Sequence, residues 1–369
     1  MSDPAATGVD GGGRGARRLV VLRALGLGDF LTAVPALRAL ERSHPGWELH
    51  LAGPPAYADL LALAGLDWRL LPAHGPAPPP WPHAEPPDLA VNLHGSGPES
   101  VRALRALEPR RLWTHAHPEA SGHPGPSWPA GMHDVDLWCG LLAYYGISAD
   151  PGDLRLPRPA PRQDAAEGPA AAVVHPGAAS PARRWPADRF AAVARHLQDR
   201  GLDVVITGSR EERPAALEVA RQAGLAESRV HAGRTALPQL ASLVAGAALV
   251  VCGDTGLAHL ATAYSTPSVV LFGPVDPALW GPRIDTARHA CLWHGGRGDP
   301  HGGVCDAGLL RISVGEVVAA AERTLAENRP FSGPGAAPPP RRPLASPRGT
   351  GATGASAASA GTERRVADV

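Results

Sequence analysis

The sequence contains no lysine: lysine and arginine together number 35, and every one of them is arginine. This absence removes lysine from any catalytic or phosphate-binding role, so arginine has to serve wherever a fixed cation is needed. It also excludes a P-loop nucleoside triphosphatase, whose GxxxxGK[ST] loop requires the amine. Cysteine is scarce, with Cys139, Cys252, Cys291 and Cys305 scattered through 369 residues. Four isolated thiols suit a reducing cytoplasm and argue against a secreted disulfide scaffold. The stretch MSDPAATGVDGGGRGARR has no apolar segment of the kind a signal peptide carries. No apolar run approaches the roughly 20 residues of a spanning helix. A cytoplasmic protein is expected, and any membrane contact has to be peripheral, at the inner face. Neither sign of charge is in excess, 35 acids balancing 35 bases. No global field therefore draws the chain to nucleic acid, and no nucleic-acid partner is expected.

What is present is an alternation of short apolar runs and amphipathic stretches. RLVVLRA, ELHLAG and DLAVNLHG read as buried strands, and TAVPALRALERSHPG, AYADLLALAG, PESVRALRAL and VDLWCGLLAYYG as helices. The alternation then starts again. AAVVHPG, LDVVITG, ALVVCG and SVVLFG read as strands, and WPADRFAAVARHLQDRG, ERPAALEVARQAG, LPQLASLVAGA and GLAHLATAY as helices. Residues 72–87 and 114–130 read as loops. The polar, proline-rich stretch 154–170 is the linker candidate. The pattern predicts an α/β protein with two parallel-sheet domains, 17–153 and 171–330, facing each other across a cleft. Residues 1–16 and 331–369 are expected to be disordered tails, being too poor in apolar residues to offset their ordering entropy.

The glycines cluster where strands give way to helices, the place where such sheets bind ligands. In LRALGLGDFLTAVPAL, the Gly26-x-Gly28 pair invites a dinucleotide reading, but Leu31 stands where the third small residue belongs. ELHLAG also lacks the acid that would hold a ribose. Asp29 opens a helix there; it can be an N-cap, a general base on the cleft floor, or both. In VVHPGAASPARRWPADRF, Arg183 and Arg184 precede a helix and suit a diphosphate, or are simply solvated cations. Trp185 reads as a packing residue. In VVCGDTGLAHLATAY, Gly253 and Gly256 permit close backbone approach, Thr255 supplies a hydroxyl, and the amides of 255–257 form an anion site. Asp254 reads as a group that orients the loop or touches a sugar hydroxyl. His259 lies one turn beyond Thr255. In VVITGSREERPAAL, Gly208 and Ser209 end a strand, and Glu211 or Glu212 can reach a ribose diol or serve only the helix dipole.

Two other patterns are weaker. Cys291-x-x-His294 and His301-x3-Cys305 have spacings zinc could use, but the glycine-rich loop between them reads better as a polar cleft rim. No metal and no cofactor are expected. NLHGSGPES resembles an oxyanion loop, but no GxSxG elbow accompanies it.

Taken together and in order, GLGDFLTAVPALRAL, HPGAASPARRWPADRFAAVA, ITGSREE and GDTGLAHLATAYSTPSVVLFGPVDP resemble family 9 glycosyltransferases, typified by the ADP-heptose:lipopolysaccharide heptosyltransferases. The likeness runs from about residue 18 to 325. It implies the GT-B fold, with two Rossmann-like domains, and inverting, metal-independent transfer from a nucleotide-sugar. By position, Asp29 would be the base on the acceptor hydroxyl, with Gly28, Thr32 and His94 on the acceptor side. The family's phosphate-contacting lysine falls on Arg183, which keeps the charge and changes the geometry. Arg184, Gly208, Ser209, Glu212, Asp254, Thr255, Gly256, Leu257 and His259 would line the donor. The partners implied are an ADP-sugar donor, with heptose as the type sugar, and a glycan or lipid-linked acceptor. A sugar-nucleotide epimerase of the same fold would share the cleft but consume no acceptor, and a non-catalytic binding protein would bind nucleotide without turnover.

Overall fold

The computed structural model describes residues 16–120, 124–159 and 171–328. The expected amino-terminal arm up to residue 15, the linker from 160 and the whole expected tail lie outside the described residues.

The first lobe runs β1 (Arg18–Leu22), α1 (Leu27–Ser43), β2 (Glu48–Gly53), α2 (Tyr57–Ala64), β3 (Arg69–Pro72), β4 (Leu89–Asn92), α3 (Glu99–Arg105), β5 (Leu112–Trp113) and α4 (Asp134–Tyr144). Its strands are all parallel, in the order β3-β2-β1-β4-β5. Leu19, Val20, Val21 and Leu22 are fully buried, because helices cover both faces of a parallel sheet.

The second lobe runs β6 (Ala171–His175), α5 (Ala187–Asp199), β7 (Asp203–Ile206), α6 (Arg213–Ala223), α7 (Leu237–Gly246), β8 (Leu249–Gly253), α8 (Gly256–Ala263), β9 (Ser268–Leu271), α9 (Pro277–Trp280), β10 (His289–Leu292), α10 (Ala307–Arg311) and α11 (Val314–Glu327). It too is parallel throughout, in the order β10-β9-β8-β6-β7. Phe190, Val193, Ala194 and Leu197 form the buried stripe that the i, i+3, i+4, i+7 spacing of α5 dictates. Trp185 is a packing residue: it is buried, and its indole N–H donates to the Ile312 carbonyl at 3.1 Å.

The fold is therefore of the GT-B type, two Rossmann-like lobes each built on a parallel sheet. Strand order reverses between β1 and β4 in one lobe and between β6 and β8 in the other. The carboxyl ends of these pairs are where such sheets place ligands. One apolar core passes between the lobes, joining Leu27, Leu31 and Val34 of α1 to Leu257, Leu260 and Ala261 of α8. Polar clamps border it. Arg155 grips Asp285 with two bonds of 2.8 Å, and the Leu156 amide donates to the Ala263 carbonyl. The start of the expected linker thus lies along the second lobe. Among the described residues, no helix is long and apolar enough to cross a membrane.

Candidate functional site

The chain leaves β1 at Arg23, whose side chain is 1% exposed. A buried guanidinium is tolerated only when its charge is paired and its donors are satisfied. Here Nε donates to the Asp29 carbonyl at 2.9 Å and one terminal nitrogen to the Leu93 carbonyl. The other terminal nitrogen faces Asp134 Oδ2 at 2.8 Å, Thr32 Oγ1 at 3.1 Å and Asp29 Oδ1 at 3.3 Å. The Trp138 ring lies 4.8 Å from the guanidinium carbon. One cation thus ties together β1, α1, α4 and the loop after β4.

Helix α1 starts at Leu27, five residues before the expected start at Thr32, so Gly28 and Asp29 belong to its first turn. Asp29 both caps the helix and opens onto the cleft. Its Oδ2 accepts the Gly26 N–H at 3.3 Å, its Oδ1 faces Arg23, and the side chain remains 23% exposed. Beneath the loop the buried Tyr57 hydroxyl donates to the carbonyls of Leu25 and Gly26, at 3.0 and 3.2 Å. Burial, and then the charge of Asp29, push its pKa far up, so it stays a donor. Gly53 makes room for that ring, since a Cβ there would lie 2.5 Å from it.

Thr32 turns into the lobe, 2% exposed, and gives its hydroxyl to Asp134 at 2.7 Å. His94, just past β4, accepts the Ala24 N–H on Nδ1 at 3.2 Å. Burial and the neighbouring Arg23 bring its pKa down to about 4. The ring is therefore neutral at pH 7, with its hydrogen on Nε2.

In the second lobe, Gly253 closes β8 beneath the Arg183 backbone: an added Cβ would lie 3.1 Å from the Arg183 carbonyl oxygen. The Arg183 side chain crosses Asp254, its terminal nitrogen 3.4 Å from the Asp254 carbonyl and 3.8 Å from Oδ2. Among the described residues, Arg183 Nε is buried without a hydrogen-bond partner. Thr255 Oγ1 is buried too, with the Cys252 thiol as its only close polar neighbour among them. Buried polar atoms are normally satisfied, so orphans of this kind mark a missing partner. Arg184 is exposed and its Nε donates to the Ala178 carbonyl at 2.8 Å.

At the same carboxyl edge, past β6 and β7, Glu212 and not Glu211 faces inward. Glu212 Oε2 accepts the Ser209 N–H at 2.8 Å, and the carboxylate lies over Gly177, where a Cβ would come within 2.5 Å of it. Glu211 is exposed. Gly208 packs against the same Glu212 side chain.

The two glycine loops meet. A Cβ on Gly28 would lie 2.8 Å from His259 Cδ2. One on Gly256 would lie 2.8 Å from Leu27 Cβ and 3.0 Å from the Gly28 nitrogen. Helices α1 and α8 therefore begin side by side, and their positive dipole ends reach the same corner of the cleft. His259 packs edge-on against Trp280, and burial first, then His133, lowers its pKa to about 4. Leu257 is buried in the core between the lobes.

Residue spacing had not pointed to Arg23, Asp134 or Trp138; the one available signal was an arginine closing an apolar strand. The loop containing Cys291, His294, His301 and Cys305 gathers no group of three ligating atoms among the described residues. His294 Nε2 instead pairs with Glu316 at 2.8 Å.

Comparison with known proteins agrees with this fold. Residues 144–299 match the model of glycosyltransferase family 9 (heptosyltransferase). Lipopolysaccharide heptosyltransferase 2 of Escherichia coli K12 is 37% identical over 117 residues, 31% of this chain and 34% of that protein. The chain thus spans about a third of the length of that relative. Lipopolysaccharide heptosyltransferase 1 of Pseudomonas aeruginosa is 29% identical over 299 residues, 72% of this chain and 81% of that protein. Among solved structures, a family 9 glycosyltransferase of Veillonella parvula superposes with a TM-score of 0.67 at 19% identity, covering 85% of this chain and 98% of that one. The E. coli ADP-heptose heptosyltransferase II superposes at 0.63 and 20% identity, covering 85% and 100%. By sequence over residues 144–299, and by fold over most of its length, the chain is similar to glycosyltransferase family 9 (heptosyltransferase) proteins.

Proposed function

We propose that this protein is a glycosyltransferase that moves a sugar from a nucleotide-sugar to a hydroxyl of a glycan or lipid-linked acceptor, with inversion and without a metal in the chemical step. The observation that carries the proposal is the meeting of the two helix starts at Gly28 and Gly256. It brings a partly exposed carboxylate, Asp29, to the same corner of the cleft as the Thr255 hydroxyl, beside which Arg183 Nε stands buried without a hydrogen-bond partner among the described residues.

In this reading the second lobe holds the donor. Its diphosphate lies on Arg183 and the amides of 255–257, which stabilise the charge growing on the leaving group. Asp254 orients Arg183. Glu212, with Gly208 and Ser209, takes the ribose. A cavity of about 500 Å³ lined by His231, Arg234, Thr235, Pro238 and Gln239 suits the base. It adjoins the ribose loop, because Gly233 packs on Arg210. The first lobe holds the acceptor, and Asp29 takes its proton as the oxygen attacks the anomeric carbon. Neutral His94 presents a donor beside it. Two structurally similar heptosyltransferases of E. coli, WaaC with ADP-2-deoxy-2-fluoro heptose and TibC with ADP-D-β-D-heptose, make an ADP-sugar, with heptose first, the leading donor.

A thermal-shift screen of ADP-, GDP-, UDP- and dTDP-sugars tests the donor side. A ligand at 100 times its Kd stabilises by about 2.7 kcal/mol. No stabilisation by any of them would refute the donor site. Product analysis with donor alone tests the reaction class: a rearranged donor formed without acceptor would mean an epimerase.

A further inference from the structure

A second cluster lies on the first lobe, toward the amino end of β2 and away from the carboxyl-end cleft. Glu48 and His50 are two residues apart on that strand, so their side chains share one face. His83 reaches the same face from the proline-rich loop 73–88. The Nε2 atoms of His50 and His83 are 3.4 Å apart, and His83 Nε2 lies 3.5 Å from Glu48 Oε2. One ligating atom from each of the three residues lies within 4.8 Å of the others.

These separations have a geometric meaning. Around zinc, with metal–nitrogen bonds of 2.0–2.1 Å and tetrahedral angles, neighbouring ligand atoms sit about 3.3–3.4 Å apart. Two of the three spacings, 3.4 and 3.5 Å, come close to that value, and the third lies within 4.8 Å. The rings are also held in place. Trp81 packs edge-on against both, with centroids 5.0 Å from each, and its indole N–H donates to the Glu85 carbonyl at 2.8 Å, which pins the loop. His50 is 1% exposed, and burial first, then His83, lowers its pKa. A neutral imidazole is the form that ligates a metal. Its Nε2 is the nitrogen that faces His83. Glu48 also meets Arg18 at 3.2 Å and Arg69 at 3.7 Å. Both arginines meet the same oxygen, Oε2, that lies nearest His83; with about four acceptor sites on a carboxylate, lone pairs remain on Glu48 to face a cation.

We propose that Glu48, His50 and His83 form a site for one divalent ion of the zinc class, tetrahedral, with water as fourth ligand, that fastens the proline-rich loop to β2. The site is separate from the cleft and rests on no assumption about glycosyl transfer.

The test uses the full chain, stripped with a chelator and titrated with zinc against a chromogenic competitor, with metal content measured per chain. The wild type should bind one equivalent and gain thermal stability. H83A, a change on a surface loop, should fold yet bind zinc about 100-fold more weakly or worse, since even outer-sphere changes cost 10–100-fold. E48Q should fall between the two. Nucleotide-sugar binding should be the same in all three. Wild-type protein that takes up no zinc would overturn the proposal, and so would equal zinc affinity in H83A.

Discussion

Gly256→Ala tests whether the two loops meet. The added methyl carbon would sit 2.8 Å from Leu27 Cβ, 2.9 Å from Leu27 Cγ and 3.0 Å from the Gly28 backbone nitrogen. Leu27 could swing aside. The Gly28 nitrogen cannot, because it belongs to the first turn of a helix pinned by Arg23 and Tyr57. The lobes must therefore separate locally, and overpacking of this kind costs about 1–3 kcal/mol. That corresponds to a fall in Tm of roughly 2–5 °C for a chain of this size. Turnover should fall as well. Relief of the 3.0 Å contact moves the two loops apart by a few tenths of an ångström; since a misplacement of about 1 Å can lower rates by about 100-fold, a loss of roughly several-fold is expected. Gly140→Ala is the control: this glycine lies inside α4 with nothing within 4 Å of an added Cβ. It should gain about 0.5–1 kcal/mol. Calorimetry on both variants, with transfer rates, decides the matter. A Gly256→Ala protein with wild-type Tm and wild-type turnover would show that α1 and α8 do not touch in solution.

Asp29→Asn keeps the shape of the cap while removing the base, so transfer should fall by about 10²–10⁴, with donor affinity by titration unchanged. Equal loss of both would make Asp29 a structural residue only. Arg183→Ala removes a charge-assisted contact worth about 1.5–3 kcal/mol, so donor Kd should rise by roughly 10- to 100-fold. An unchanged Kd would remove Arg183 from the phosphate site. Stability should fall with acid. His94, His259 and His289 have pKa values lowered to about 4, each mainly by burial. Between pH 6.5 and 4 the unfolded chain binds more protons than the folded one, so stability rises with pH across that window. The full effect is on the order of 3 kcal/mol per ring. Urea midpoints at pH 7 and pH 5 should show it, and His289→Gln should flatten part of the slope. A flat profile would mean that these rings are solvated.

Much of the architecture could be read from local pattern, because a strand buried on both faces is written as a short apolar run. ELHLAG and SVVLFG are found as β2 and β9, and the glycines that end such runs mark the cleft. What escaped had little local pattern to show. β5 is two residues long and β3 four, with Arg69 exposed at its start. Helix α11 is an exception: Ser313 and Glu316 form a capping box that announced its start. The site divides in the same way. Asp29, Arg183 and Thr255 sit in loops whose composition points to anions and hydroxyls. The network that holds Asp29 could not be seen, because Arg23 reaches Asp134 across 111 positions and Thr32 reaches it across 102. Spacing within a motif reports which groups share a turn of chain. It is silent on which distant side chain neutralises a buried cation. Yet that cation decides how Asp29 is used, because a carboxylate fixed by both the Gly26 amide and Arg23 loses little rotational freedom when an acceptor arrives. Capping and the proposed base catalysis would therefore be two consequences of one fixed geometry, and a variant that frees the carboxylate from Arg23 should impair the second while leaving the first in place.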